Sequence, residues 1–148
     1  MKPIFVSMDY DHDWALIRHR LGLKWVEDTR GIVAIDLETK KRVAAAIFNN
    51  WTWSSVQVHL WIENPLVLRH GFFQEIYQFA FVTGGRDSLI GMVPEHIDEA
   101  VKLNKHIGFK EIGRIPGGYR DDEAFIIMQG TREDLAHWQP KIQKEEAA

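Results

Sequence analysis

Apolar residues along this chain fall into short blocks whose spacing separates strands from helices. Val56, Val58, Leu60 and Ile62 alternate with Gln57, His59, Trp61 and Glu63, the period of a half-buried strand over 56–62. A shorter apolar run predicts a strand over 4–8. Strands over 31–37 and 42–48 flank the polar turn 38–41, a hairpin signal. Trp14, Ile17 and Leu21 share one face of a helix that Asp11 or Asp13 caps. After a break at Asn64 and Pro65, residues Phe72, Phe73, Ile76, Tyr77 and Ala80 mark a helix over 70–82, which Thr83, Gly84 and Gly85 end. Residues 88–93 are apolar enough for a strand inside a sheet. Strands over 109–115 and 124–129 follow, joined by a loop over 116–123. Thr131 with Asp134 predicts the start of a last helix. The tail 141–148 is polar and expected to fray.

The most informative block is 95–109. Ile97, Ala100, Val101, Asn104 and Ile107 recur at the spacing of one helical face. Pro94 suits the first turn, and Gly108 suits the left-handed position that ends a helix before the next strand. Asn104 is the polar member of that face. A buried amide without hydrogen-bond partners costs roughly 1–3 kcal/mol, so Asn104 needs a partner or a task.

At 148 residues the chain suits one domain, expected over 1–140 with 141–148 as a tail. A hydrophobic share of 45% beside a charged share of 26% is that of a soluble globular protein. The formal net charge of −3 lacks the basic surplus of a nonspecific nucleic-acid binder. With no cysteine, disulfides, thiolate zinc sites and a cysteine nucleophile are excluded. The first residues lack the apolar run of a signal peptide, and no run approaches the ~18 apolar residues that span a bilayer. The expected location is cytoplasmic. Asn50, Trp51 and Thr52 match a glycosylation pattern that has no meaning without secretion.

The 95–109 block also resembles the late helix-to-strand motif of the GNAT acetyltransferase family, whose members read Asn-x-x-Ala-x-x-Leu-Tyr-x-x-x-Gly-Phe. The chain keeps Ala100, Leu103, Gly108 and Phe109; Ile97 stands at the family Asn and Asn104 at the family Tyr. The element order β-α-β-β-β-α-β-α-β-β is that of the GNAT fold across residues 4–129. The resemblance therefore implies a mixed α/β fold with acetyl-CoA in a cleft where two parallel strands splay apart.

It further implies an N-acetyltransferase that moves an acetyl group to a primary amine by direct attack in a ternary complex. Acetyl-CoA would be the cosubstrate, with no metal. The acceptor would be a small molecule or a protein amine. In the family, the pyrophosphate sits on backbone amides at the start of the helix after the fourth strand, where the helix dipole favours an anion. The matching segment runs from Ile62 through Leu68, Arg69, His70, Gly71 and Phe72. Of the family's glycine-rich pattern it keeps Gly71, with Arg69 able to supply charge. Backbone N–H groups near Ile62 would polarise the acetyl carbonyl. Glu63 would assist deprotonation of the amine, and His59 shares its strand face. Asn104 would orient the thioester end by donating to the sulfur or the pantetheine chain; the plain alternative is a core Asn bonded to strand backbone.

Trp51 and Tyr119 are candidate acceptor contacts, Trp51 from a tryptophan-rich stretch and Tyr119 from the loop that in the family borders the acceptor. The cluster Asp9, Asp11, His12 and Asp13 has no defensible metal-ligand spacing and reads as a helix cap. A rival reading is a GNAT-fold protein without catalysis that works through protein contacts at Trp51 and Trp53. The thinned glycine pattern resembles that of small phage-encoded versions. A homodimer is left open.

Overall fold

The computed structural model describes residues 1–141. The expected tail lies, beyond Lys141, outside the described residues. The elements are β1 (Pro3–Ser7), α1 (Tyr10–Leu21), β2 (Arg30–Asp36), β3 (Lys41–Asn49), β4 (Ser55–Ile62), α2 (Phe72–Tyr77), β5 (Ser88–Pro94), α3 (Asp98–Ile107), β6 (Lys110–Arg120) and β7 (Glu123–Thr131). Their order is the expected β-α-β-β-β-α-β-α-β-β. They form one mixed sheet in the order β1-β2-β3-β4-β5-β7-β6. All neighbours are antiparallel except β4 and β5.

Sequence explains the two layers on this sheet. β3 carries Ala44, Ala45 and Ala46 in succession, all buried, so both of its faces admit close neighbours. On one face Trp14 and Ile17 of α1 pack on Val33, Ala45 and Ile47. On the other, Phe72, Phe73, Ile76 and Ala80 pack on Ala44, Ala46, Phe48, Val56 and Leu89, joined by Ile107 of α3. α1 begins where the Asp9 side chain accepts the Asp11 N–H at 3.0 Å, and ends at the left-handed Gly22. Asp13 is buried by its ion pair with Arg42 on β3 and accepts the Asp9 N–H at 2.8 Å. The acidic cluster thus splits between a cap and a buried tie.

Several boundaries differ from the sequence reading. The expected helix over 70–82 begins at Phe72, because Gly71 is left-handed at φ 99°, and it widens to π-turns over Gln78–Thr83. A separate 3-10 turn, Pro65–His70, precedes it, capped by the Asn64 side chain accepting the Leu66 N–H. Gly84 lets the wide turn close: a Cβ there would lie 2.9 Å from the Phe79 and Ala80 carbonyls. The expected loop 116–123 is mostly strand, since β6 runs on to Arg120. The last helix is only a 3-10 turn, Ala136–Trp138. Thr131 and Asp134 do cap each other, at 3.1 and 3.2 Å. Beyond them, however, the Trp138 indole N–H is drawn to the Ile107 carbonyl at 2.7 Å.

Candidate functional site

β4 and β5 pair over three rungs only: Ser55 with Ser88, Val56 with Leu89, Gln57 with Ile90. Past that point the strands part, while β4 stays on β3 as far as Ile62 and β5 stays on β7 as far as Pro94. A V-shaped gap opens between residues 58–62 and 91–94. The Glu63 N–H donates to Val43 O on β3 at 2.9 Å. Main-chain groups alternate sides along a strand, so those of Leu60 and Ile62 point into the gap. Leu60 and Ile62 continue the buried alternation of Val56 and Val58 in sequence, yet both are only half-buried.

α3 roofs one side of this gap. Its inner residues Ala100, Val101, Leu103 and Asn104 are half-buried, and only Ile107 is fully enclosed. An amphipathic helix normally buries its apolar stripe against a core; this one packs Ala100, Val101 and Leu103 on the core only in part. Ile97 lies before the helix and is 40% exposed, so it does not belong to the inner face expected from sequence. The Asn104 Nδ2 donates to Ala100 O of its own helix at 2.8 Å. That bond uses one of the two amide N–H groups, and the amide oxygen lies 4.0 Å from where a Cβ on Gly91 would stand. Mid-helix Asn commonly back-bonds in this way to the carbonyl four residues earlier.

Between the segment that follows β4 and the α3 helix lies a cleft of about 620 Å³. One wall is Asn64, Pro65, Leu66, Leu68 and Arg69; the other is Leu103 and His106 of α3, with Trp138 beyond. Trp138 is braced by its bond to Ile107 O and by the Phe73 ring, 5.4 Å between centroids. Gln74 also lines the cleft and carries a buried Oε1 with no hydrogen-bond partner among the described residues. No side chain caps the start of α2, whose first backbone bond runs from Glu75 N–H to Gly71 O at 3.1 Å. An orphaned acceptor, uncapped amides, an apolar wall and two basic groups, Arg69 and His106, suit an elongated ligand with amide and anionic parts.

The structure brings Ile62, Leu68, Arg69 and Asn104 to this cleft and gap. His70 is exposed and outside the cleft wall, and Gly71 serves as the hinge between the 3-10 turn and α2. The Phe72 side chain is fully buried against Phe5, so only its amide is available to a ligand. His59, Trp61 and Glu63 occupy the opposite sheet face, the α1 side. Glu63 is exposed; His59 is half-buried, its Nε2 2.9 Å from Asn49 Oδ1. Burial pushes the His59 imidazole below its ordinary 6.5. Tyr119 stacks between His96 and Phe125 at 5.5 Å from each. Trp51 stands at the other end of β4, tied to Asp28 and packed on Phe48 and Phe79, away from the gap. Gln74, Leu103, His106 and Trp138 did not emerge as site residues from the sequence, where they read as ordinary helix and tail positions. Among the described residues no three metal-ligating side chains converge, and no helix is long and apolar enough to cross a membrane.

The fold has counterparts among solved structures. The spermidine/spermine N-acetyltransferase SpeG of Vibrio cholerae, in complex with manganese ions, superposes with a TM-score of 0.74 at 11% identity, over 92% of this chain and 96% of that one. A structure from Acinetobacter baylyi ADP1, provisionally named an acetyltransferase, gives a TM-score of 0.69 at 15% identity, over 87% and 92%. The fold is that of the GNAT acetyltransferases. No protein-family model matches the chain, and no curated protein matches it in sequence. At these identities the likeness carries the fold alone, and the activity must rest on this chain's own residues.

Proposed function

We propose that the protein is an acetyl-CoA-dependent N-acetyltransferase acting on a primary amine by direct attack in a ternary complex. The observation that carries this reading is the gap beside residues 58–62, together with the cleft between Asn64–Arg69 and α3 that Gln74 also lines. Pantetheine is a chain of amides, and the main-chain groups of Leu60 and Ile62 would pair with it as a further strand would. Asn104 Oδ1 would accept an N–H from the same chain, and Gln74 Oε1 another. The pyrophosphate would rest at the start of α2, with Arg69 and His106 neutralising charge. The Ile62 N–H, or that of Leu60, would hold the acetyl oxygen as it gains charge. The amine would approach from the opposite sheet face, where Glu63, His59 and Tyr119 lie. Glu63 would attract the ammonium to that face.

Acetyl-CoA binding tests this reading directly. At a hundredfold excess over its dissociation constant the ligand stabilises the fold by about 2.7 kcal/mol, readable as a rise in Tm. No rise at millimolar acetyl-CoA would overturn the proposal.

A second reading has its own observation: Trp53 is 98% exposed. Its turn is held by Thr52 and Ser55, bonded through their side chains at 2.7 Å, and by Arg86 Nε donating to Thr52 O at 3.0 Å. A bare indole on a braced turn suits a protein contact. A chain that binds no acetyl-CoA but loses a partner on Trp53→Ala would be such a module.

A further inference from the structure

Resting on the acetyl-transfer reading, we infer that His59 is the base of the reaction and that Asn49 is the positioning residue that fixes its tautomer. His59 lies on β4 just past Gln57, the last residue paired with β5, so it borders the gap at its apex. It projects to the face opposite Asn104 and α3, the side from which an amine would reach a thioester held in the gap. Its Nε2 is 2.9 Å from Asn49 Oδ1. An amide oxygen only accepts, so the imidazole must donate from Nε2, and Nδ1 keeps its lone pair.

The surroundings keep that lone pair available. On this face β3 offers Ala45, Ile47 and Asn49, and β5 offers Ile90 and Met92, none of them charged. The charged groups of β4 and α1 on this face include Glu63, two pleats along β4, Arg20 of α1, which lies over the Trp61 ring at 5.6 Å, and Asp13 of α1, which is already paired with Arg42. Burial alone accounts for the depressed pKa of His59. A neutral imidazole with one nitrogen already satisfied is a base at neutral pH. Glu63, exposed and without a side-chain partner among the described residues, suits recruitment of a cation better than proton transfer.

In the step itself, the amine nitrogen lone pair forms the C–N bond to the thioester carbon, which makes the nitrogen acidic. Nδ1 of His59 takes one proton from that nitrogen. The carbonyl re-forms, the C–S bond breaks, and CoA leaves as a thiolate that takes a proton from water. His59 returns its proton to solvent.

The test combines a spectroscopic readout with kinetics. Imidazole nitrogens of ¹⁵N-histidine-labelled protein are followed between roughly pH 8 and pH 5, with His59→Gln assigning the His59 signals. We expect an Nε2–H tautomer, a midpoint below the ordinary histidine value, and a mixed tautomer in Asn49→Leu. Thioester cleavage is then measured with acetyl-CoA and either water or a panel of primary amines that includes spermidine. His59→Gln should lower kcat at least about a hundredfold while the acetyl-CoA rise in Tm persists. Asn49→Leu should lower kcat without changing KM for acetyl-CoA. Asn49→Asp should move the acid limb of kcat to higher pH, since a carboxylate favours imidazolium. An Nδ1–H tautomer, an unchanged rate in His59→Gln, or no thioester cleavage by a protein that binds acetyl-CoA would each overturn this assignment and leave the binding site standing. Failure of the native protein to bind acetyl-CoA would remove the acetyl-transfer reading itself, and the assignment with it.

Discussion

Asn104 of α3 lies over Gly91 of β5, and a Cβ on that glycine would stand 4.0 Å from the Asn104 oxygen and 4.0 Å from Val58 O across the gap. These are ordinary contact distances, so Gly91→Ala introduces no clash. It would lower the conformational entropy of the unfolded chain, a gain of about 0.4–1 kcal/mol. The methyl group would, however, occupy the floor of the gap where a pantetheine chain must lie. Gly91→Ala is therefore expected to hold or raise Tm and to weaken acetyl-CoA binding by about tenfold, or about 1.4 kcal/mol. Calorimetric titration of both proteins measures it.

Glu63 ends β4 as an exposed carboxylate on the acceptor face. Its attraction for an ammonium acts through water and is screened by salt. Glu63→Gln should raise KM for a cationic amine severalfold at low ionic strength, with the difference shrinking as salt is added. The salt series on wild type and variant separates this from a role in proton transfer, whose loss would lower kcat at every salt concentration.

Trp138 closes the outer end of the cleft by two contacts that can be separated. Its indole N–H satisfies the Ile107 carbonyl at the end of α3, at 2.7 Å, and its ring packs on Phe73. Trp138→Phe keeps the ring contact and orphans the carbonyl, a loss of about 1 kcal/mol in urea unfolding. Trp138→Ala removes both and should lower stability further while weakening acetyl-CoA binding.

The strands and their order were legible because period-two alternation and turn residues mark them locally. The gap was not. Leu60 and Ile62 alternate just as Val56 and Val58 do, and nothing in their identity says that β5 leaves β4 after Gln57. That depends on β5 following β7, a pairing between distant parts of the chain. Asn104 was legible as a misplaced amide, but not that one of its N–H groups would be taken by the Ala100 carbonyl of its own helix. Gln74 and Trp138 acquire meaning only when α2, α3 and the last turn meet. Trp51 is the converse case: its aromatic neighbours suggested a binding surface, and the fold spends the ring on Phe48 and Phe79.

Arg42 and Asp13 form a tie that connects α1 to β3. The Asp13 side chain is only 4% exposed, against 31% for Arg42. Arg42→Met would strand a buried carboxylate, and an unpaired buried charge costs about 3–5 kcal/mol, the lower figure applying where one partner is partly hydrated. Asp13→Asn in the same background removes the charge and keeps an acceptor for the Asp9 N–H. Urea unfolding should show the double variant to be more stable than Arg42→Met alone.

Acidification should weaken the fold in two separate windows. The His59 pKa is lowered by burial from its ordinary 6.5. As pH falls through that ordinary value the unfolded chain takes up a proton that the folded chain refuses, so stability declines with falling pH until the folded group titrates. Above about pH 6.5 both states are neutral at this residue and it has no effect. Asp36 has the opposite chemistry but the same direction. Its carboxylate accepts the N–H groups of Lys2 and Glu38 at 3.0 and 3.1 Å, and the Lys2 bond is the first cause of a pKa held below 3.8. The stability it contributes is present above that value and is lost as pH falls further. Melting curves should therefore show one decline beginning near pH 6.5 and a second beginning near pH 3.8. His59→Leu should flatten the first and leave the second, and Asp36→Asn should reduce the second, to which Asp9 and Asp134 also contribute, and leave the first; a first decline that survives in His59→Leu would mean that another group titrates there.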